Sequence, residues 1–301
     1  MEKLAGVLLS SLFAAGLYAT MSYGLAVIYG VMRIINLAHA GLMMLAAYVT
    51  LTLNVRFGLD PFLSLFLVAP LFFGLGMLLD MALVRRLPRG GTTPSMQSLL
   101  LLFGLWLVLQ NLAYLLWTGD TQSILTPYTM SSVRLLGDSY GIPLLLVFGV
   151  SLLSLVGLDL LLRKTFLGKA IRAVTQNRDA ARLSGVNADR ISAVAFGLGT
   201  AFAAIAGTMM STLYAFTPDF GRSFLLKAFC IIVLGGLGSF TGVAVGALVL
   251  ALIENLFAAY TPIPTSFQDA ISFSLLVLVL VAAPSGLPAL FRSFSRKAVA
   301  R

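Results

Sequence analysis

Long apolar runs separated by short polar links make up most of this chain. A helix that crosses a membrane needs about 20 apolar residues. Runs of about this length predict membrane helices near residues 5–31, 35–55, 61–84, 98–117, 142–162, 190–214 and 269–288. A further tract, 224–260, is too long for one crossing and is interrupted by glycines, so we interpret it as two elements, the first of them short. The pattern therefore predicts about nine crossings, in a range of about eight to ten, with some of them discontinuous.

A polar stretch at residues 163–190, called the basic segment below, separates the run 142–162 from the run that begins at 190. Within it, residues 179–185 predict a short helix that Gly185 is placed to end, and Asp189 is placed to cap the helix that follows. The segment is either an amphipathic stretch on the lipid surface or a helix pair presented to a soluble protein, and the residues alone leave both open. Helical spacing over 166–176 assigns one face to Phe166, Leu167, Ala170, Ile171 and Val174 and another to Lys169, Arg172 and Gln176.

Composition agrees with a helical membrane protein. Hydrophobic residues make up 59% of the chain and charged residues 10%, whereas soluble domains carry about 25% charged residues. The apolar runs are continuous rather than alternating with a period of two, which argues against a β-barrel. The predicted fold class is therefore all-α, a polytopic membrane helix bundle in which residues 1–301 form a single transmembrane domain. The first apolar run continues through Val31 without a polar break, which favours a retained span over a cleaved signal peptide.

Loop charge predicts the orientation in the membrane, because cytoplasmic loops are enriched in Lys and Arg. The basic segment holds seven of the 20 Lys and Arg. Placing it inside together with Arg33, the loop 85–89 and the tail 292–301 puts fifteen Lys and Arg on the cytoplasmic side. We therefore expect the N-terminus outside and the C-terminus inside. The net charge of +9 is explained by loops that face anionic lipid, so it does not indicate nucleic acid as a partner. The five basic residues predicted outside are Lys3, Arg56, Arg134, Arg222 and Lys227.

The first candidate for function is the polar motif Asn36, His39 and Gly41 at the start of the second apolar run. Polar side chains at membrane depth are costly and usually face the protein interior or a water-filled path. With Gly41 they can mark a broken helix, and the freed backbone groups of such a break can coordinate a solute. Alternatively, Asn36 caps the second span and His39 hydrogen-bonds a neighbouring helix. Both interpretations stay open.

The second candidate is the glycine turn, residues 235–239, formed by Gly235, Gly236, Leu237, Gly238 and Ser239. A helix break here would be the counterpart, in the second half of the chain, of the break at 36–41. Paired breaks in corresponding positions of the two halves indicate a translocation path. The alternative is plain helix packing, because small residues every three or four positions let helices approach closely. Gly238, Gly242 and Gly246 have that spacing.

Charged residues within the predicted spans are few. Asp80 and Asp159 lie near the predicted inner ends of their spans, where an aqueous or headgroup position is expected. Glu254 lies deeper, where a charge costs about 2.5–3.5 kcal/mol, so it should be protonated, paired or hydrated. No chain of carboxylates typical of proton-coupled carriers is present. The single histidine and the single cysteine, Cys230, leave no multi-histidine metal site and no intrachain disulfide.

Catalysis is not expected of this chain. The sequence has no glycine loop followed by Lys-Ser or Lys-Thr that would cradle phosphates, so the chain does not carry its own ATPase. No arrangement of nucleophile and base is evident either, and we expect neither an enzyme nor a bound cofactor.

Three stretches resemble one family. They read GLAVIYGVMRIINLAHAGLMMLAAYVTL (24–51), FLGKAIRAVTQNRDAARLSGVNADRIS (166–192) and IIVLGGLGSFTGVAVGALVLALIENL (231–256). In this order and spacing they resemble the LivH-type permeases of branched-chain amino acid ABC transporters, and the resemblance covers nearly the whole chain. It implies a bacterial inner-membrane importer subunit. The implied partners are a second permease (LivM-like or a second copy), two cytoplasmic ATPases that bind the ATP, and a periplasmic amino-acid-binding protein.

The resemblance also implies roles for particular residues. The stretch matching 166–186 docks the ATPase in that family, and those matching 36–41 and 235–239 lie in the central permease core. Family members often have glycine directly after the histidine and then glutamate or another polar residue, whereas this chain has Ala40 and Gly41. Urea, short amides and other amino acids are therefore alternative substrates, and an ion-driven carrier or passive channel is the alternative class. The expected coupling residues are Phe166, Gly168, Ile171, Arg172, Ala181, Arg182 and Gly185, and the expected pathway residues are Asn36, His39, Gly41, Gly235, Gly236, Gly238 and Ser239.

Overall fold

The computed structural model describes residues 2–87, 96–135, 137–236, 238–261 and 268–282, and helices dominate it. A two-stranded antiparallel hairpin and a short 3-10 turn at Val84–Arg86 are added to eleven helices in this part of the chain. The predicted all-α fold class is confirmed, although apolar periodicity did not predict the hairpin. In chain order the elements are α1 (Glu2–Met32), α2 (Ala38–Phe57), α3 (Pro61–Ala82), α4 (Met96–Trp117), β1 (Ser132–Leu135), β2 (Asp138–Gly141), α5 (Ile142–Lys164), α6 (Phe166–Gln176), α7 (Arg178–Leu183), α8 (Ala188–Leu213), α9 (Gly221–Gly235), α10 (Phe240–Tyr260) and α11 (Gln268–Ala282).

Nine of these helices correspond to the nine predicted membrane elements. Among the described residues, seven helices are long and apolar enough to cross a membrane: α1 to α5, α8 and α10. Helix α9 has 15 residues, fewer than the 20 or so that a full crossing needs, and the described part of α11 also has 15 residues. The first half of the tract 224–260 is therefore short, as predicted. Residues 283–288 of the predicted last span, loop residues 88–89, Leu237 and the basic tail lie outside the described residues.

Helix α8 forms the centre of the bundle and packs against α1, α2 and α3. In its most apolar window 78% of the residues are buried, against 17% in α4 and in α5. Because lipid is as apolar as a leucine side chain, close backbone approach rather than burial of apolar area holds such helices together. A Cβ added to Gly24 of α1 would lie 2.6 Å from the carbonyl oxygen of Gly199 on α8. Glycine at these positions therefore sets the distance between the two helices.

The loop 118–141 packs on the bundle through aromatic residues. The edge of Tyr140 on β2 meets the ring of Phe13 on α1 at 5.3 Å, and its hydroxyl donates to the carbonyl of Gly6. Tyr128 donates to the carboxylate of Asp60 at 2.5 Å, and Asp60 also caps α3. Burial, and then the hydrogen bond to Asp60, raise the pKa of the Tyr128 phenol, so it remains a donor at neutral pH. The hairpin therefore lies at the N-terminal end of α1.

Candidate transport and coupling sites

The basic segment is a compact series of capped helices. The Thr165 hydroxyl accepts from the backbone N–H of Gly168 at the start of α6. The Asn177 side chain accepts from two backbone N–H groups at the start of α7. Gly185 ends α7 with a positive φ of 83°, which glycine adopts without steric cost. Asn187 rather than Asp189 caps α8, through the N–H of Arg190. The predicted helices and the predicted stop at Gly185 are confirmed, and the predicted Asp189 cap is wrong.

Helix α6 packs against the bundle by one face, which differs in part from the predicted face. Ala170, Ile171 and Val174 are buried as expected, but the Phe166 side chain is 84% exposed. Phe166 is the first residue of α6, so its side chain lies beyond the edge of the packed face. Gly168 is buried instead, because α6 turns tightly on α5 there and a Cβ would lie 2.5 Å from the Cα of Leu162. The seven expected coupling residues therefore divide into buried supports and exposed contacts. Gly168, Ile171 and Ala181 are buried, and Phe166, Arg172, Arg182 and Gly185 are exposed.

Ion pairs join α7 to the first turn of α8. Arg178 contacts Asp189 at 2.7 Å and donates to the Ser192 hydroxyl at 3.0 Å, while Arg182 approaches the same carboxylate at 3.4 Å. Asp189 thus orients two arginines rather than capping its helix. Arg172 makes no ion pair within the described part of the chain, so its charge is available at the surface.

Two large apolar side chains project from this basic surface. Phe166 at the start of α6 is 84% exposed, and Leu183 at the end of α7 is 92% exposed. Their backbones are held in place by the caps and by the buried face of α6. Both side chains are therefore available to contact another molecule.

The break near the Asn36 motif lies earlier in the chain than expected. Helix α1 ends at Met32, Arg33 has a positive φ of 55°, and α2 begins only at Ala38. Leu37 occupies the cap position without a side-chain hydrogen bond, so Asn36 does not cap α2. The predicted position of the break is wrong by a few residues, because a left-handed backbone at Arg33 ends the helix before the motif.

The members of this motif have different environments. Asn36 is fully buried, and neither atom of its side-chain amide has a hydrogen-bond partner among the described residues. His39 Nε2 donates to the carbonyl of Met21 on α1 at 2.9 Å. Because that carbonyl can only accept, Nε2 carries the proton and Nδ1 is left as a buried acceptor without a donor in the described residues. Gly41 lies within α2 and allows close packing with Trp106 and Leu109 of α4, so it does not break the helix.

The glycine turn shows the predicted break. Helix α9 ends at Gly235, and Gly236 and Gly238 have φ values of 83° and 85°, a region that L side chains rarely adopt. The Ser239 hydroxyl then caps α10 by accepting from the N–H of Gly242 at 3.1 Å. The stripe of small residues is also used in packing, since a Cβ on Gly246 would lie 2.6 Å from the carbonyl oxygen of Ile231. Helix break and close packing thus occur together here.

One turn of α1 lies between the two motifs. The Met21 carbonyl faces His39, while the ring of Tyr23 stacks on Phe240, directly after the glycine turn, with centroids 6.4 Å apart and planes 4° apart. The two motifs are therefore close in the fold but contact different faces of α1. A displacement of this turn would affect both.

A network of charged and polar side chains inside the helix bundle, called the core charge network, was missed in the sequence. Lys227 Nζ lies 3.1 Å from Glu254 Oε1, and the hydroxyls of Tyr18 and Ser272 each donate to Glu254 at 2.5 Å. Both charged residues are buried. Lys227 was counted with the basic residues on the outer side, and the structure places it within the bundle rather than at an exposed surface. Lys227 is the only basic residue in the tract 224–260, and Glu254 is its only acidic residue, a signal that could have paired them.

The other two carboxylates in the spans, Asp80 and Asp159, differ in their exposure. Asp80 is fully buried, so the headgroup or aqueous position expected for it is wrong, because α8 covers this face of α3. Asp159 is half exposed and contacts Arg163 at 2.7 Å, as its predicted position near a span end implies. No group of three His, Cys, Asp or Glu side chains in the described ranges is arranged to hold a metal ion.

The fold and these sites define a polytopic membrane permease. A family model described as "Branched-chain amino acid transport system / permease component" matches residues 7–280, and the chain belongs to this family. The predicted resemblance is thereby confirmed, and the family is one of transport permeases.

Individual relatives agree with this assignment. The chain is 30% identical over 285 residues to the high-affinity branched-chain amino acid permease protein LivH of Salmonella typhimurium, covering 90% of each chain. It is 30% identical to BraD of Pseudomonas aeruginosa, covering 93% of this chain and 94% of BraD. The xylose transport permease XylH of Haemophilus influenzae matches half of this chain and 41% of its own length at 34% identity. No solved structure matches the chain.

Proposed function

We propose that this chain is the transmembrane permease subunit of an ATP-driven importer for branched-chain or other hydrophobic amino acids. The observation that carries the proposal is the basic segment, a capped and packed helix pair that presents Phe166 and Leu183 from a basic surface. A protein partner can complement both the exposed arginines and the two apolar side chains of this surface. Membership of the permease family supports the same assignment.

The energy for uptake comes from partner subunits in this proposal. Transport against a hundredfold gradient requires about 2.8 kcal/mol, and the sequence contains no phosphate-binding loop that could supply it. Two cytoplasmic ATPases would dock on the basic segments of paired permeases, the second being LivM-like or another copy of this chain. A periplasmic binding protein would deliver the amino acid to the outer face.

The orientation places the N-terminus outside and the basic segment in the cytoplasm of a bacterial inner membrane. Contacts on one side of the bundle support this arrangement. The Lys3 ammonium lies 4.9 Å from the ring centroid of Tyr260, so the start of α1 and the end of α10 share a side. The hairpin joins them through Tyr140 and Gly6. In the predicted topology all three lie outside.

The pathway for the amino acid would pass the two motifs on either side of the α1 turn. ATP binding would close the ATPases, move the basic segments and rock the membrane halves, so that the site opens to each side in turn. The polar groups would come from the Asn36 amide, which has no hydrogen-bond partner among the described residues, and from the turn formed by Gly235, Gly236, Gly238 and Ser239. His39 would hold α2 to α1, and Gly41 would let α2 pack closely on α4.

This assignment predicts that Asn36→Ala lowers uptake much more than it lowers the amount of folded protein. The substitution removes no hydrogen bond of the described structure. His39→Ala should lower both, since it also loses the bond to Met21, worth about 1 kcal/mol. Uptake and membrane abundance measured for both variants separate the two roles. Equal losses of uptake and abundance for Asn36→Ala would indicate a packing role instead.

Reconstitution tests the proposed function directly. The permease is co-purified with candidate permease, ATPase and binding-protein partners, placed in proteoliposomes, and assayed with labelled leucine, urea and xylose. We expect leucine uptake that requires ATP and persists when ion gradients are dissipated. Uptake that continues without ATP and stops when the gradients collapse would favour an ion-driven carrier. Uptake of urea but not leucine would support the ATP-driven mechanism and contradict the proposed amino-acid substrate.

A further inference from the structure

A cavity of about 260 Å³ lies where the basic segment meets the membrane helices. Its walls come from α1, α5, α6 and α10. It opens to the surface beside Arg163 and Asp159, whose side chains are 59% and 54% exposed. The volume is below that of most pockets for drug-sized ligands, about 300 Å³ or more. A headgroup with the first part of a chain fits this size better than a whole ligand does.

The wall inside the cavity is apolar. Leu155, Leu158 and Leu162 line one side at helical spacing along α5, and Phe240 and Tyr23 line the other. On the neighbouring face of α5, Leu153 and Val156 are 74% and 48% exposed, as side chains that contact lipid are. The cavity therefore lies next to an exposed apolar face of α5.

The mouth of the cavity is basic. Arg163 and Arg172 both line it, and the only acidic lining residue, Asp159, contacts Arg163 at 2.7 Å. Arg172 has no ion-pair partner among the described residues, and the Thr241 hydroxyl lies on the α10 side. A planar guanidinium without a partner matches a phosphate group, because its N–H donors fit two phosphate oxygens at once.

We propose that this cavity binds an anionic phospholipid of the cytoplasmic leaflet, with the headgroup phosphate on Arg172 and an acyl chain along the leucines of α5. The inner-leaflet assignment rests on the orientation in the proposed function. Basic pockets between membrane helices on the cytoplasmic side suit such headgroups. Because Arg172 belongs to α6 and Thr241 to α10, the lipid would connect the basic segment to the end of the glycine turn.

Lipid retention tests the proposal in the assembled transporter. The complex is reconstituted in nanodiscs of phosphatidylglycerol and phosphatidylcholine, extracted, and analysed by native mass spectrometry. We expect retained phosphatidylglycerol at this chain, retained about fivefold less after Arg172→Gln. Leu155→Trp, which fills the apolar part and leaves Arg172 unchanged, should also reduce it. The matched controls are Lys169→Gln on α6 and Leu153→Trp on α5, which should retain lipid like the wild type.

Three results would overturn the proposal. Equal retention of phosphatidylglycerol and phosphatidylcholine would show that headgroup charge does not contribute to binding. If millimolar inorganic phosphate displaced phosphatidylglycerol while Leu155→Trp had no effect on retention, the cavity would be a site for free anions rather than for lipid. Equal effects of the control variants would indicate a general surface effect. ATP-driven uptake is measured separately, so that retained lipid without uptake counts against the proposed function alone, and uptake without retained lipid counts against the lipid site alone.

Discussion

The molecule contains the same kind of ion pair in two environments. Lys227 and Glu254 pair inside the bundle, with side chains 9% and 5% exposed. Arg178 and Asp189 pair in the basic segment, with side chains 20% and 44% exposed. A buried charge that loses its partner costs about 3–5 kcal/mol, whereas an exposed pair contributes about 0–1 kcal/mol. Similar chemistry therefore holds one region rigidly and leaves the other adjustable.

This difference suits a transporter. The core charge network joins α1, α9, α10 and α11 through four side chains: Tyr18, Lys227, Glu254 and Ser272. These helices should move together. The basic segment is joined to α8 by weaker pairs, so it can follow a soluble partner without unfolding. Substitutions in the two regions test this difference.

The largest effect is expected for Lys227→Met. It leaves the Glu254 carboxylate buried without its cation, so the free energy of unfolding should fall by about 3–5 kcal/mol. Thermal unfolding of the purified subunit measures this. Adding Glu254→Leu to Lys227→Met should restore part of the loss, and the matched control Arg222→Met on the exposed side of α9 should change little. A double variant no more stable than Lys227→Met alone would contradict the pairing.

A smaller effect is expected for Gly242→Val. The added side chain would overlap the backbone of Gly235 and separate α9 from α10 at the glycine turn. Overpacking of this kind costs about 1–3 kcal/mol, measured again by thermal unfolding. Gly157→Val is the control, because nothing lies within 4 Å of a Cβ at Gly157. If both variants lose the same stability, the close approach of Gly235 and Gly242 is not what holds the turn.

Arg178→Gln is the direct counterpart of Lys227→Met in the basic segment. It removes the contact with Asp189, but Arg182 still approaches that carboxylate and solvent reaches it. The expected loss is about 1 kcal/mol. Arg190→Gln, in the same turn of α8, provides the control for charge. A loss as large as that of Lys227→Met would mean that the two regions are equally rigid.

The smallest effect on stability, with a large effect on activity, is expected for Arg172→Glu combined with Arg182→Glu. Both side chains are exposed, so the subunit should keep its unfolding temperature within a few degrees. Transport-linked ATP hydrolysis by the reconstituted complex should fall because the docking surface has lost its charge, and Arg182→Glu alone, which leaves the cavity beside Arg172 unchanged, should show part of this fall. Lys169→Glu with Arg190→Glu makes the same change in charge and should have a weaker effect. Unchanged coupling in the first pair would contradict the docking role.

Local patterns predicted much of the fold because they depend on neighbours in the chain. The length of the apolar runs predicted all nine membrane elements, and the glycines at 235–239 predicted the break between α9 and α10. The helical period predicted α6, and Gly185 predicted the end of α7. Each of these follows from burial of backbone groups in an apolar medium or from the conformational range of glycine.

Other features depended on distant residues. Phe166 fits the apolar stripe of α6 but is exposed, because the packed face of the bundle ends before it. Charge counting alone treats Lys227 as one more outer cation, but its side chain is buried in the bundle beside Glu254 and Tyr18, with Ser272 on the same carboxylate. Asn36 fits a helix cap, but it lies in the link after Arg33 ends α1, and its buried amide has no partner in the part of the chain that the structure describes. Such positions are determined by how helices rotate and contact one another.

The class of this protein, its helices and the charge asymmetry that predicts its orientation can all be inferred from the amino-acid sequence, because the bilayer imposes a length and a polarity on every crossing segment. Which polar groups pair and which line a cavity is set by the packing of the helices. Those outcomes depend on distances between side chains far apart in the chain. The core charge network and the cavity beside Arg172 are both of this kind, since each is built from helices that meet only in the folded protein.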